Sequence, residues 1–149
     1  MDASWLRGTL LVLFGYLLGS VKFGILVAKA FDRELDLRKA GSGNIGATNV
    51  ARTLGRGAGI LTLAFDAGKG ILALAIARHL LDPSAHHWLA LVGGAVFLGH
   101  IFPVYLRFRG GKGVAVALGV VLFLSPETAF VIVVLFAGVL YFTRFVSLA

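Results

Sequence analysis

The sequence contains no cysteine, so a disulfide, a thiolate nucleophile and a cysteine-based metal site are all excluded. Acidic residues are scarce, at 7 Asp and Glu against 14 Lys and Arg, and charged residues make up only 14% of the 149. No pair of His, Asp or Glu has a spacing suited to metal ligation. No internal repeat or low-complexity linker is visible. Also missing is the short basic start with a small-residue cleavage site that marks a removable signal peptide.

Apolar residues dominate instead, at 58% of the chain, with a mean hydropathy of +0.92. A soluble domain of this size could not hide that composition. The residues come in long runs without helical or strand periodicity, which favours membrane-spanning helices over an amphipathic bundle. Five runs are expected as helices: Trp5 to Phe31, Gly59 to Leu81, Trp88 to Leu106, Val114 to Leu124 and Thr128 to Phe142. At ~1.5 Å per residue the first three can each cross a ~30 Å hydrocarbon core. The fourth is too short to cross upright. Ser125-Pro126-Glu127 separates it from the fifth with a helix-start signature: Ser as N-cap, Pro first, Glu in the first turn. Two helices joined by a tight turn are expected there, with a single kinked helix as the alternative.

The net charge of +7 would suggest nucleic acid in a soluble protein. Here the basic residues fall in short loops between apolar runs, as the positive-inside rule demands. Residues 32–56 carry Arg33, Arg38, Lys39, Arg52 and Arg56, residues 107–113 carry Arg107, Arg109 and Lys112, and Arg144 follows the fifth run. Residues 82–87 carry no Lys or Arg. The expected topology puts the N-terminus outside and the basic segments in the cytoplasm. Arg7, Lys22 and Arg78 break the pattern; Arg7 and Arg78 lie near helix ends, where they can snorkel. Gly15, Gly19, Ser20 and Gly24 form a small-residue stripe whose expected role is close helix packing.

Two loop stretches carry chemistry. In Gly41-Ser42-Gly43-Asn44-Ile45-Gly46-Ala47-Thr48-Asn49-Val50-Ala51-Arg52 the spacing G-x-G-x-x-G appears without the strand a dinucleotide site needs. Its glycines let backbone N–H groups approach a ligand, and Arg52 offers a planar fork for phosphate oxygens. The second stretch ends in Gly110-Gly111-Lys112-Gly113, just before the fourth run. Backbone donors, a lysine and a helix N-terminus converge there on an anion site. It is not a Walker loop, because Gly113 stands where Ser or Thr would hold magnesium. His100 lies inside an apolar run near its cytoplasmic end, where a polar group is functional by default. Asp66 and Lys69 share one helix face, as a structural ion pair or as the lining of the same cavity.

GSGNIGATNVARTLG and GHIFPVYLRFRGGKGVAVALG resemble the first and second motifs of the bacterial membrane family that acylates glycerol-3-phosphate with acyl phosphate. YLLGSVKFG, DAGKG and RFVSLA are similar to further segments of that family. The resemblance implies an all-α polytopic bundle forming one membrane domain over residues 1–149, in the bacterial inner membrane. It implies attack of the primary hydroxyl of glycerol-3-phosphate on a fatty acyl phosphate, giving lysophosphatidic acid and phosphate. No cofactor or metal is implied; the expected partners are the two substrates, membrane lipid and the enzyme that makes acyl phosphate. By position, Lys112, His100 and Arg52 are the implied catalytic residues. Gly41, Ser42, Gly43, Asn44, Thr48, Asn49, Lys69, Gly110, Gly111, Gly113 and Ser147 are the implied substrate ligands. Which loop serves which substrate stays open. The chain has no His-x4-Asp pattern of the thioester-dependent acyltransferases, which argues against a thioester donor. The family pattern runs on through further helices and a third motif, so the chain is expected to be a C-terminally truncated member. It departs from the pattern at Lys22, often uncharged or Pro, and at Arg109, often Lys. A transporter of an anionic solute and an inactive remnant of the enzyme are the competing readings.

Overall fold

The computed structural model describes residues 3–144, and every regular element among them is helical. The order is α1 (Ala3–Ser20), α2 (Phe23–Phe31), α3 (Ala47–Leu54), α4 (Arg56–Leu80), α5 (His86–Ile101), a single 3-10 turn at Val104–Leu106, α6 (Val114–Leu124) and α7 (Pro126–Thr143). Four stretches are long and apolar enough to cross a membrane: Ala3–Phe31, Arg56–Leu80, His86–Leu106 and Pro126–Thr143. Helix α6, with 11 residues, rises only ~16 Å and is too short, as expected.

The fourth and fifth runs are two helices. Ser125 has extended backbone (φ −154°, ψ 90°), its Oγ accepts from the Thr128 N–H at 3.4 Å, and Pro126 opens α7. The first run, in contrast, is one span made of two helices. It breaks at Val21 and Lys22, where Lys22 is extended (φ −104°, ψ 91°). The break leaves the Val21 carbonyl without a helical partner, and the Lys69 ammonium of α4 donates to it at 2.6 Å. Irregular backbone at this depth survives only where protein satisfies it. The third run ends as a helix at Ile101, ahead of Pro103, which cannot continue it.

The bundle's packing depends on small residues. Gly8 lies under Trp88, Gly15 lies against Val92 and Val96, and Gly19 abuts the Val96 backbone. From the other side Gly99 abuts the Tyr16 carbonyl, and Gly119 of α6 that of Ala67. A Cβ at Gly19, Gly99 or Gly119 would overlap a backbone carbonyl, so these helices meet backbone to backbone. The expected helix-packing role is thereby confirmed for Gly15 and Gly19, whereas Gly24, in α2, lies against the Ile45 carbonyl of the loop before α3. Leu11, Leu74, Ala77, Leu89, Val92, Val96 and Val116 fill the centre between α1, α4, α5 and α6. A second cluster of Val27, Ala28, Leu37, Ile45, Val50 and Ala58 pins the loop before α3 to α2 and α4. The outer faces are apolar and exposed, including Leu10, Leu13, Leu63, Leu91, Val131 and Leu135, as lipid contact requires. Arg7, one of the cations outside the loop pattern, donates to the Leu80 carbonyl at 3.0 Å, where the α4 dipole favours a positive charge.

Candidate active site

The loop from residue 40 to 46 is built around one side chain. Asn49, 1% exposed, directs its Nδ2 at the carbonyls of Asn44 (2.7 Å), Ala40 (3.0 Å) and Leu37 (3.3 Å). Its Oδ1 accepts from the Ser42 N–H at 2.8 Å. These contacts settle the amide's orientation, since the nitrogen faces three acceptors and the oxygen a donor. Gly41 (φ +58°) and Gly43 (φ +73°) take the left-handed backbone of the turn, a region open to glycine at no steric cost. Asn44 Oδ1 accepts from the Gly46 N–H at 3.1 Å, an Asx turn that leads into α3. Asn49 therefore builds the loop with the amide expected to bind substrate.

The second loop folds back on the end of α5. The Gly111 N–H donates to the His100 carbonyl at 3.3 Å, and Gly110 lies against the backbone of His100 and Ile101. Arg107 (φ +52°) and Phe108 (φ +62°) hold left-handed backbone in the turn before it. Gly113 (φ +80°) is the N-cap of α6, and no side chain caps that terminus. A Cβ at Gly113 would collide with the Phe97 ring.

The two loops line one cavity of about 390 Å³, formed by Arg38, Gly43, Asn44, Ile45, Arg109, Gly110, Gly111 and Lys112. Its lining carries three cations and no carboxylate. Arg38, Arg109 and Lys112 make no ion pair or side-chain hydrogen bond among the described residues, so their charges remain available to a ligand. A site of this size, charge and exposed backbone N–H groups suits a small phosphorylated molecule.

Of the expected ligands, Gly43, Asn44, Gly110, Gly111 and Lys112 therefore meet in one place. Gly41, Ser42 and Gly113 shape the two turns beside it. Thr48 and Arg52 are exposed on α3 and do not line the cavity, although Arg52 also lacks a partner among the described residues. His100 and Lys69 are buried behind the Gly111 wall: Lys69 pairs with Asp66 at 2.9 Å and contacts His100 Nδ1 at 3.0 Å. Ser147 lies outside the described residues. Arg38 and Arg109 were not among the expected ligands. Arg109 could have been read from its place beside the Gly-Gly-Lys turn; Arg38 has no glycine next to it and enters the cavity only through the fold of its loop.

The sequence profile of the family described as Glycerol-3-phosphate acyltransferase matches residues 9–149. The chain belongs to that family. A glycerol-3-phosphate acyltransferase of Geotalea daltonii is 52% identical over 139 residues, covering 93% of this chain and 70% of the relative. One from Geobacter sulfurreducens is 48% identical over 145 residues, covering 96% and 72%. The crystal structure of PlsY, an integral membrane glycerol 3-phosphate acyltransferase, in its glycerol 3-phosphate form superposes with a TM-score of 0.86 at 44% identity, covering 95% of this chain and 69% of that one. Its lysophosphatidic acid form gives a TM-score of 0.85. This acyltransferase is accordingly an all-helical, multi-pass membrane protein, and it spans about 70% of the length of the relatives it matches.

Proposed function

We propose that this acyltransferase moves a fatty acyl group from acyl phosphate to the 1-hydroxyl of glycerol-3-phosphate. The hydroxyl oxygen attacks the acyl carbonyl carbon, the bond from that carbon to the phosphate oxygen breaks, and the departing phosphate carries off the hydroxyl proton. The products are lysophosphatidic acid and inorganic phosphate. The observation that carries this reading is the convergence of Gly43-Asn44 and Gly110-Gly111-Lys112 on a cavity whose charged residues are all cations. Phosphate is a good leaving group, so the site's task is to hold phosphate and stabilise developing charge rather than to supply a strong base. Lys112 and Arg109 serve that task from one wall and Arg38 from the other; Arg52 is the remaining uncommitted guanidinium near the first motif.

The resemblance of the motifs and the basic loop composition support cytoplasmic placement of this cavity in the bacterial inner membrane, with the N-terminus outside. Residues 1–149 form one membrane domain in this reading, and the enzyme that makes acyl phosphate is its source of donor. The test is acyl transfer by the protein in bilayers, with acyl phosphate and acyl-CoA offered separately. Lysophosphatidic acid should form from acyl phosphate alone. Lys112→Ala should lower turnover by about 10²-fold, the usual cost of one preorganised charge-stabilising group. Equal use of the thioester, or full activity in Lys112→Ala, would refute the assignment.

A further inference from the structure

Behind the cavity wall four ionisable side chains from the α1–α2 break, α4 and α5 meet in the bundle. Lys22, Asp66, Lys69 and His100 are each no more than 6% exposed. The Lys69 Nζ has three neighbours: the Val21 carbonyl at 2.6 Å, Asp66 Oδ1 at 2.9 Å and His100 Nδ1 at 3.0 Å. An ammonium has no acceptor site, so the two groups it hydrogen-bonds, the Val21 carbonyl and His100 Nδ1, must each present a lone pair. Asp66 Oδ1 makes an ion pair without a hydrogen bond and lies 3.7 Å from Nδ1, beyond hydrogen-bond reach. His100 Nδ1 is then the bare nitrogen, and the ring proton sits on Nε2. The backbone of the same residue is held separately, for the His100 carbonyl accepts from both the Lys22 ammonium and the Gly111 N–H.

Nε2 faces the place where Gly111 has no side chain. A Cβ at Gly111 would lie 2.8 Å from His100 Nε2 and 3.8 Å from Asn44 Oδ1. Gly111 and Asn44 both line the cavity, so this small space is its inner edge. We propose that Lys69 is a positioning residue: with Asp66 and the Val21 carbonyl behind it, its ammonium locks His100 as the Nε2–H tautomer, which donates to an anionic substrate oxygen lodged between Gly111 and Asn44. The identity of that oxygen rests on the acyltransferase reading; the tautomer and its direction do not. Glycine at 111 then serves a second purpose, since any side chain there would stand between the donor and the ligand. The ion pair expected as either structural or cavity-lining acts one step removed, through the imidazole.

The protein with 15N-labelled histidine, in micelles, tests this directly, the His100 signals being those that His100→Gln removes. The Nε2–H tautomer is expected, inorganic phosphate should shift its Nε2 signal, and Lys69→Met should yield a tautomer mixture. An Nδ1–H tautomer, or no response to phosphate, overturns the proposal whether or not acyl transfer occurs. Kinetics supply an independent arm. Glutamine at position 100 puts an amide N–H near the place of Nε2 and has no tautomer to set. Lys69→Met should thus lower kcat/KM about 10- to 100-fold beside His100, as for a lost hydrogen bond to a charged group. In the His100→Gln background its cost should be at least about fivefold smaller, a coupling beyond the additivity error of such cycles, and what remains comes from the Val21 carbonyl and Asp66 left without their cation. Equal losses in both backgrounds would make Lys69 merely structural and refute the positioning role.

Discussion

Asn49→Asp tests the architecture of the site with almost no change of shape. The Asn49 amide has two N–H groups, shared among three carbonyls at 2.7, 3.0 and 3.3 Å. The aspartate keeps an oxygen for the Ser42 N–H but turns the second one toward those three carbonyl oxygens. Asn49 itself is 1% exposed, so the inward oxygen of the aspartate is shielded from solvent. Losing two neutral donors and leaving the buried Leu37 carbonyl and two half-buried ones unmatched costs about 2–4 kcal/mol. That energy falls on the loop from residue 40 to 46, which presents Gly43 and Asn44 to the cavity, while the apolar spans are untouched. Amide hydrogen exchange at residues 42–46 should speed up about 30- to 900-fold, at 1.36 kcal/mol per decade. If the open loop does not bind, the affinity for glycerol-3-phosphate, measured by calorimetric titration, should fall by the part of that factor that exceeds the loop's original closing constant. Affinity within about twofold of the unsubstituted protein, with exchange unchanged, would refute the view that this one amide builds the loop.

Gly111→Ala places a methyl 2.8 Å from His100 Nε2 and should raise KM for one of the two phosphorylated substrates about tenfold or more, with the thermal midpoint in detergent little changed. Gly19→Ala pushes a Cβ into the Val96 backbone and should destabilise the bundle by about 1–3 kcal/mol. Gly68→Ala, whose Cβ meets nothing within 4 Å, should instead stabilise α4 by up to about 1 kcal/mol; thermal melts in detergent compare the two. The Asp82 carboxyl is held below the usual carboxylate range by the Ser84 hydroxyl (2.6 Å) and the Ser84 N–H (2.9 Å). Its small contribution to the α4–α5 turn is present above the ordinary carboxylate pKa of ~3.9 and fades as pH falls through the lower folded value, so Ser84→Ala should raise the carboxyl's titration midpoint by 13C NMR.

The elements legible in the sequence are those whose cause is local. Helix α6 runs from Val114 to Leu124 as expected, because Gly113 and Ser125 bound it with their own backbone preferences. The start of α7 follows from Ser125, Pro126 and Glu127 alone. The break at Val21 and Lys22 was not legible, since what permits it is an ammonium 48 residues away. Helix α3 escaped notice for a related reason. Thr48, Asn49 and Thr53 are poor helix formers and no side chain caps it; it stands because Gly59 lets α4 approach Ala51 and because Asn49 is tied to the preceding loop. At the site, the glycine-rich turns announced an anion, but composition could not separate Asn44, which faces the ligand space, from Asn49, which builds the wall.

The same property of glycine operates at two depths of this molecule. In the bundle, Gly19 and Gly99 let α1 and α5 meet backbone to backbone. Around that contact the Tyr16 hydroxyl donates to the Phe102 carbonyl at 2.7 Å, and the Val104 N–H donates to Ser20 Oγ at 3.4 Å. These bonds fasten the end of α5 from which the cationic loop departs. At the membrane edge Gly110 lets that loop lie flat on His100 and Ile101, and Gly111 leaves the ligand space clear. A lipid-embedded bundle gains little from hydrophobic burial between its helices, so close backbone packing is its main source of rigidity. Placement of Lys112 and Arg109 therefore depends on contacts made by Gly19 and Gly99 within the span, and a charged pocket at the membrane edge inherits its geometry from apolar packing below it.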